Sequence, residues 1–205
     1  MEEPDLIPGV ISAMETCRAI RRFRPEPVPD ELIERVVYAA TRAPSVANGQ
    51  NWAFVAVRDH ATKARIAALT TPTAISNIQR LLATATSDPQ RRLLEASQRL
   101  AESLADAPVL LFVCATGIDR SAPIDSRVWL GVLPAAQNAL VAARSLGLGT
   151  TLATYHLHDE VGVSEALGLP SDVLIAATIV MGVPAVPFGP VRRRPVSEVL
   201  RWDRW

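Results

Sequence analysis

Four short apolar runs limit what this chain can fold into. "WAFVAV" (52–57) and "PVLLFVCA" (108–115) are too short for core helices and rich in strand-forming residues. "TTLATYHL" (150–157) and "DVLIAATIVMGVP" (172–184) follow the same pattern. Helical periodicity fills the spaces between them. "PDELIERVVYAATRA" (29–43) places Leu32, Ile33, Val36, Val37 and Ala40 on one face, with Pro29 and Asp30 as start signals and Pro44 as a stop. Residues 60–105 read as mostly helical, broken near "TTPT" and "SDP". "WLGVLPAAQNALVAARSLGLG" (129–149) is an apolar helix stopped by its glycines, and "DEVGVSEALGL" (159–169) a short one. The long helical stretches do not make a regular βαβ alternation. The expectation is therefore an α+β fold, a mixed sheet flanked by helices, rather than a doubly wound parallel sheet.

Composition narrows the function classes. The 205 residues carry 21 Lys+Arg and 21 Asp+Glu, so no global field draws the chain to nucleic acid or an acidic membrane surface. A hydrophobic share of 49% supports a core, and the whole chain, 1–205, is expected to form one domain. Cys17 and Cys114 belong to no CxxC or Cys/His cluster, which argues against a disulfide scaffold or zinc module. The opening stretch "MEEPDLIPGVISAME" is acidic and lacks an apolar core, and no run approaches the ~20 apolar residues needed to span a bilayer. A soluble, cytoplasmic protein is expected.

Four segments could carry chemistry. "CRAIRRF" (17–23) crowds Arg18, Arg21 and Arg22; a helix over 14–22 would set them at i, i+3 and i+4, able to converge on one anion. The same pattern also describes a solvated basic face. "APSVANGQNW" (43–52) presents Ser45, Asn48 and Gln50 on a loop constrained by Pro44; their side chains could read the edge of a heteroaromatic ring or simply cap a turn. "LGLGT" (146–150) allows close backbone approach to a flat ligand, or a helix C-cap, but is no dinucleotide fingerprint. "RRRP" (192–195) should be extended, with Arg192 and Arg194 on one side and Arg193 opposite. His156 and His158 in "YHLH" would share one strand face, yet no further ligand stands at helpful spacing, so no metal site is expected. GxSxG, HExxH and Walker-type loops are absent. No catalytic side chain is assigned, and any catalysis must come from a bound cofactor.

In order and spacing, "CRAIRRFRPEPVP", "APSVANGQNW", "QNALVAARSLGLGT", "MGVP" and "RRRPVSEV" together resemble the nitroreductase family of FMN-dependent oxidoreductases, over about residues 14–205. The resemblance implies a mainly antiparallel sheet, in a homodimer with swapped terminal segments and the flavin at the subunit interface. It implies FMN as cofactor, held by Arg18, Ala19, Arg21 and Arg22 of the first motif. Pro44, Ser45, Asn48 and Gln50 of the loop, Leu148 and Gly149 of the glycine segment, and the late Arg193 complete the implied site. It departs from the family pattern at Cys17, Ala19 and Asn51, which stand where arginine, serine and proline are usual. NAD(P)H as donor and a small aromatic acceptor, a nitroaromatic or quinone, are implied by the same resemblance. So are two alternatives: an FMN-storing protein, and a dehalogenating or flavin-fragmenting branch. Residues 70–90 would form a lid or a substrate wall.

Overall fold

A computed structural model describes residues 9–205; residues 1–8, which hold most of the acidic opening stretch, lie outside them. The strands are β1 (Trp52–Val57), β2 (Val109–Ala115), β3 (Gly149–Ala153) and β4 (Leu174–Gly182), in the order β1-β2-β4-β3 with every neighbour antiparallel. Each of the four runs expected to be a strand contains one, that of 150–157 only as far as Ala153. The helices are α1 (Val10–Thr16), α2 (Asp30–Ala40), α3 (His60–Ala83), α4 (Asp88–Glu102), α5 (Trp129–Ser145), α6 (Glu160–Leu167) and α7 (Val196–Val199). None is long and apolar enough to cross a membrane.

The central strand explains why the pattern of β2 is a run and not an alternation. Val109, Leu111, Val113 and Ala115 face a core completed by α2 and α5, while Leu110, Phe112 and Cys114 face a second core completed by α3, α4 and α6. With helices on both faces, every residue of β2 is buried, and an antiparallel strand acquires the composition usual in parallel sheets. On α5 the buried face is Gly131, Val132, Ala135, Ala136, Ala139, Leu140 and Ala143, small residues that let the helix lie close to its neighbours. The helix stops where the glycines predict. Gly147 takes φ +77°, Leu148 N–H donates to the Ala143 carbonyl at 2.8 Å, and Gly147 N–H donates to that of Arg144 at 3.1 Å.

Three expectations fail locally. No helix spans 14–22, because α1 ends at Thr16 and the arginine segment is extended. The expected break at "TTPT" is absent, and α3 runs through Pro72 to Ala83; Thr70 and Thr71 hydroxyls donate to the Ile66 and Ala67 carbonyls beside the proline. The third strand ends at Ala153, and residues 155–158 form a 3-10 turn with Tyr155 and His156 both buried. Those two face inward together, which a strand's alternation forbids.

Candidate functional site

The arginine segment is placed by the open edge of β3. Ala19 bridges Thr150 in parallel, Ile20 N–H donates to the Thr150 carbonyl at 2.8 Å, and the Thr151 hydroxyl donates to the Ile20 carbonyl. Gly149 makes this approach possible, since a Cβ there would lie 2.8 Å from Ile20 Cγ2. Thus Gly149 accommodates a neighbouring side chain and Leu148 is buried in the core. Thr150 and Leu152, one and three residues on, line a cleft instead.

The late arginines arrive from the other end of the chain. Residues 183–191 fold back along 15–24, with Arg24 N–H donating to Val183, Ala185 N–H to Arg22 and Val191 N–H to Glu15, each at 2.9 Å. Arg144 of α5 secures the return. Its guanidinium stacks 3.8 Å from the Phe188 ring centroid, and its Nε donates to Thr16 Oγ1 at 2.9 Å. Gly189 lies against Arg18, where an added Cβ would sit 3.1 Å from Nη1.

The two segments enclose a cleft of about 670 Å³ lined by Arg18, Ala19, Arg21, Arg192 and Arg193, with Leu93 of α4 on its rim. An adjoining cleft of about 590 Å³ shares Arg18, Ala19 and Arg193 and adds Glu15, its one acid, with Cys17, Gln137, Thr150 and Leu152. Arg192 was expected to point away from Arg193; both line the cleft, because residues 189–195 follow no strand. Arg22 is exposed and lines neither cleft, nor does Arg194. None of the four cleft arginines joins a salt bridge among the described residues, and no acid lines the larger cleft. Burial lowers the Arg21 guanidinium from arginine's ordinary value, Tyr155 opposes that shift and Arg18 adds to it. Arginine remains charged in any case. Unpaired forks from two segments lining one cleft suit a phosphate monoester.

Behind Arg21 lies a smaller pocket of about 240 Å³ between α3, α4 and the turn after β3, with Asn77, Ile78, Tyr155 and His158 among its walls. Burial pushes the Tyr155 hydroxyl up to about 12, so it stays protonated and able to donate. Asn77, Ile78 and Leu81 come from the 70–90 stretch expected to form a lid or substrate wall; the walls from Arg21, α4 and the end of β3 are joined to it by no local pattern. His156 faces away into the core, its Nδ1 2.9 Å from Thr178 Oγ1. It therefore shares no strand face with His158.

The loop expected to face a ring is strained and exposed. Ala47, Asn48 and Gln50 have φ of 50°, 53° and 47°, a region costly to residues other than glycine and more tolerable for asparagine. Gln50 N–H donates to Ser45 Oγ at 2.9 Å, and Gln50 Nε2 donates to Asn48 Oδ1 at 3.3 Å. Ser45 packs on the start of α5, where a Cβ at Gly131 would lie 3.1 Å from its own Cβ. The arginine cleft meets the same helix at Gln137 and Leu140. Six residues of helix separate Gly131 from Gln137, the nearer of the two, about 9 Å at the usual rise. No residue of 44–50 lines either cleft, so one chain does not bring Pro44, Ser45, Asn48 and Gln50 into them.

Comparison with known proteins converges on one group. The model of the Nitroreductase family matches residues 15–183. The chain is 31% identical to a Thermus thermophilus protein named NADH dehydrogenase, over 90% of this chain and 91% of that one. It is 29% identical to 5,6-dimethylbenzimidazole synthase of Rhodospirillum rubrum, over 97% and 90% respectively. A Desulfovibrio desulfuricans structure solved with FMN and described as a nitroreductase matches at a TM-score of 0.70 and 26% identity, covering 100% of this chain and 99% of that one.

Proposed function

The chain belongs to the nitroreductase family, and from that premise we propose that it is an FMN-dependent oxidoreductase. Its donor in this reading is NAD(P)H and its acceptor a small nitroaromatic or quinone. The observation that carries the reading is the cleft of four arginines without a counterion. An FMN phosphate carries about −1.5 to −2 charge at neutral pH, which gives guanidinium groups from the two ends of the chain a reason to converge. Arg18 and Arg193, common to both clefts, hold the phosphate together with Arg192. Arg21 closes the inner end toward the ribityl chain and ring. Ala19 contributes no hydroxyl, so the grip on phosphate is by charge.

FMN held by these arginines would supply the redox chemistry, the transfer of hydride from donor to acceptor. The chain's own part is to orient the cofactor, exclude water and offer guanidinium charge; no side chain acts as acid or base. The name of the Thermus thermophilus relative supports a reduced nicotinamide as donor.

The acting unit in this reading is a homodimer. Met14 and Leu152 line one cleft and are exposed, and Val10 and Ile11 of α1 and Leu130 and Leu133 of α5 are further exposed apolar side chains. A second copy covers such a surface and brings its own loop 44–50 to the cleft. That gives a role to amides that line neither cleft of their own chain.

The test is the visible spectrum of the purified protein before and after anaerobic NADH or NADPH. We expect a yellow protein that prefers FMN to riboflavin and bleaches with one nicotinamide. A colourless chain that takes up no FMN sinks the reading. A yellow one that neither nicotinamide bleaches assigns it to flavin storage, and loss of intact flavin on reoxidation assigns it to fragmentation.

A further inference from the structure

We infer that Arg144, which lines neither cleft, is the positioning residue that sets how far apart the two arginine-bearing segments stand, and through that spacing the preference for a phosphorylated flavin. The inference rests on the FMN reading for its ligand, while the spacing role stands on the geometry.

The backbone leaves that spacing open where the cleft lies. Residues 15–24 and 183–191 pair at Glu15 with Val191, Arg22 with Ala185 and Arg24 with Val183. Between these pairs no backbone hydrogen bond joins 16–21 to 186–190 among the described residues, and Ile20 N–H goes to Thr150 instead. Arg18, Ala19 and Arg21 all fall in the unpaired interval, so side chains hold the gap there. Gly189 lies against Arg18, and Arg144 bridges from α5 to both segments.

Each of its contacts is fixed. Arg144 Nε donates to Thr16 Oγ1 at 2.9 Å, two positions before Arg18, and the Thr16 hydroxyl gives its own proton to the Ser12 carbonyl at 2.8 Å. A lone pair of Thr16 is thus left facing the guanidinium. On the other side the guanidinium carbon lies 3.8 Å from the ring centroid of Phe188, four positions before Arg192. Arg144 stands in the last turn of α5, where the helix dipole favours a cation, and joins no salt bridge among the described residues. Gln137, Leu140 and Arg144 follow at i, i+3 and i+7 on one face of that helix, the first two lining the cleft and the third outside it. One helix therefore carries both a wall of the cleft and the brace of its two arginine segments. A planar guanidinium can stack on a ring and donate from its edge at once, which an ammonium cannot. Without the brace, Arg18 parts from Arg192 and Arg193, and only a phosphate feels the difference.

The test compares FMN and riboflavin affinities of the flavin-free protein by calorimetry, in the parent and in variants. Arg144→Gln and Phe188→Leu should each weaken FMN about tenfold and riboflavin by no more than about threefold, and the double variant should lose little beyond either single one, since both break one contact. Phe188→Tyr keeps the stack and should keep the preference. Arg144→Lys keeps the charge alone and should lose it. Equal weakening of both flavins makes Arg144 a general support and overturns the inference. So do an unchanged preference in Arg144→Gln, a full preference in Arg144→Lys, or additive losses in the double variant. If the parent binds no flavin, inorganic phosphate takes its place as the probe. Phosphate binding that Arg144→Gln weakens about tenfold keeps the spacing role and discards the flavin. Phosphate binding unchanged in Arg144→Gln, or absent from the parent, overturns the inference.

Discussion

His156 shows how one side chain ties stability to pH. It is 1% exposed, and burial, with a smaller contribution from His158, pushes its imidazole down to about 4 from 6.5. The folded protein therefore holds His156 neutral while the unfolded chain takes up a proton below about pH 6.5. Its contribution is complete above pH 6.5, declines as pH falls from there to about 4, and is constant below. The full loss is about 3 kcal/mol. Urea titrations at pH 7 and pH 4.5 should show this decline, and His156→Gln, which preserves a partner for Thr178, should flatten it. An equal pH dependence in both proteins removes His156 as its source.

At the level of elements, the site depends on one extended segment docking on one strand edge. Gly149 is the permissive residue, because even a methyl group there would press on Ile20 at 2.8 Å. Gly149→Ala should cost about 1–3 kcal/mol by overpacking and lower FMN affinity at least tenfold by displacing Arg18 and Arg21. Adding Ile20→Ala should recover most of the affinity. Calorimetry and a thermal melt check both; a Gly149→Ala protein that binds and melts like the parent shows that the docking does not position the arginines. The same contact marks a limit of sequence reading. Periodicity identified all four strands and the ends of α2 and α5, since those follow from local pattern and stop signals. The helix considered over 14–22, which the arginine spacing fits, does not form, because the hydrogen bonds of Ile20 go to a strand 130 residues away. It read "TTPT" as a break because proline disfavours helix interiors, but α3 packs along its length and Pro72 stays within it. The motif residues of the cleft were legible by family resemblance. Arg192 and the way the pocket behind Arg21 is put together were not, since no local pattern records where a loop or three separate elements meet.

For the whole molecule, the unpartnered surface makes the assembly testable. Leu130 and Leu133 are 62% and 48% exposed on the side of α5 away from its buried alanines. Leu130→Glu with Leu133→Glu should turn a dimer into a monomer by sedimentation equilibrium and release flavin, leaving the far-ultraviolet spectrum unchanged. A doubly charged variant that sediments and binds flavin as the parent does would place any dimer contact elsewhere.

The return of residues 183–191 along 15–24 also orders events in time. Val191 pairs with Glu15 across 176 positions, and Arg18 faces Arg193 only once both ends have come together. Long loop closures of this kind come late in folding, and the second half of the cleft is made well after the strands and helices that precede it. A nascent chain can assemble β1, β2 and the helices that cover them well before it can grip a phosphate. In the FMN reading, cofactor capture therefore waits on contact between segments 176 positions apart, and a variant that cannot pair Val191 with Glu15 would keep its core and lose its flavin.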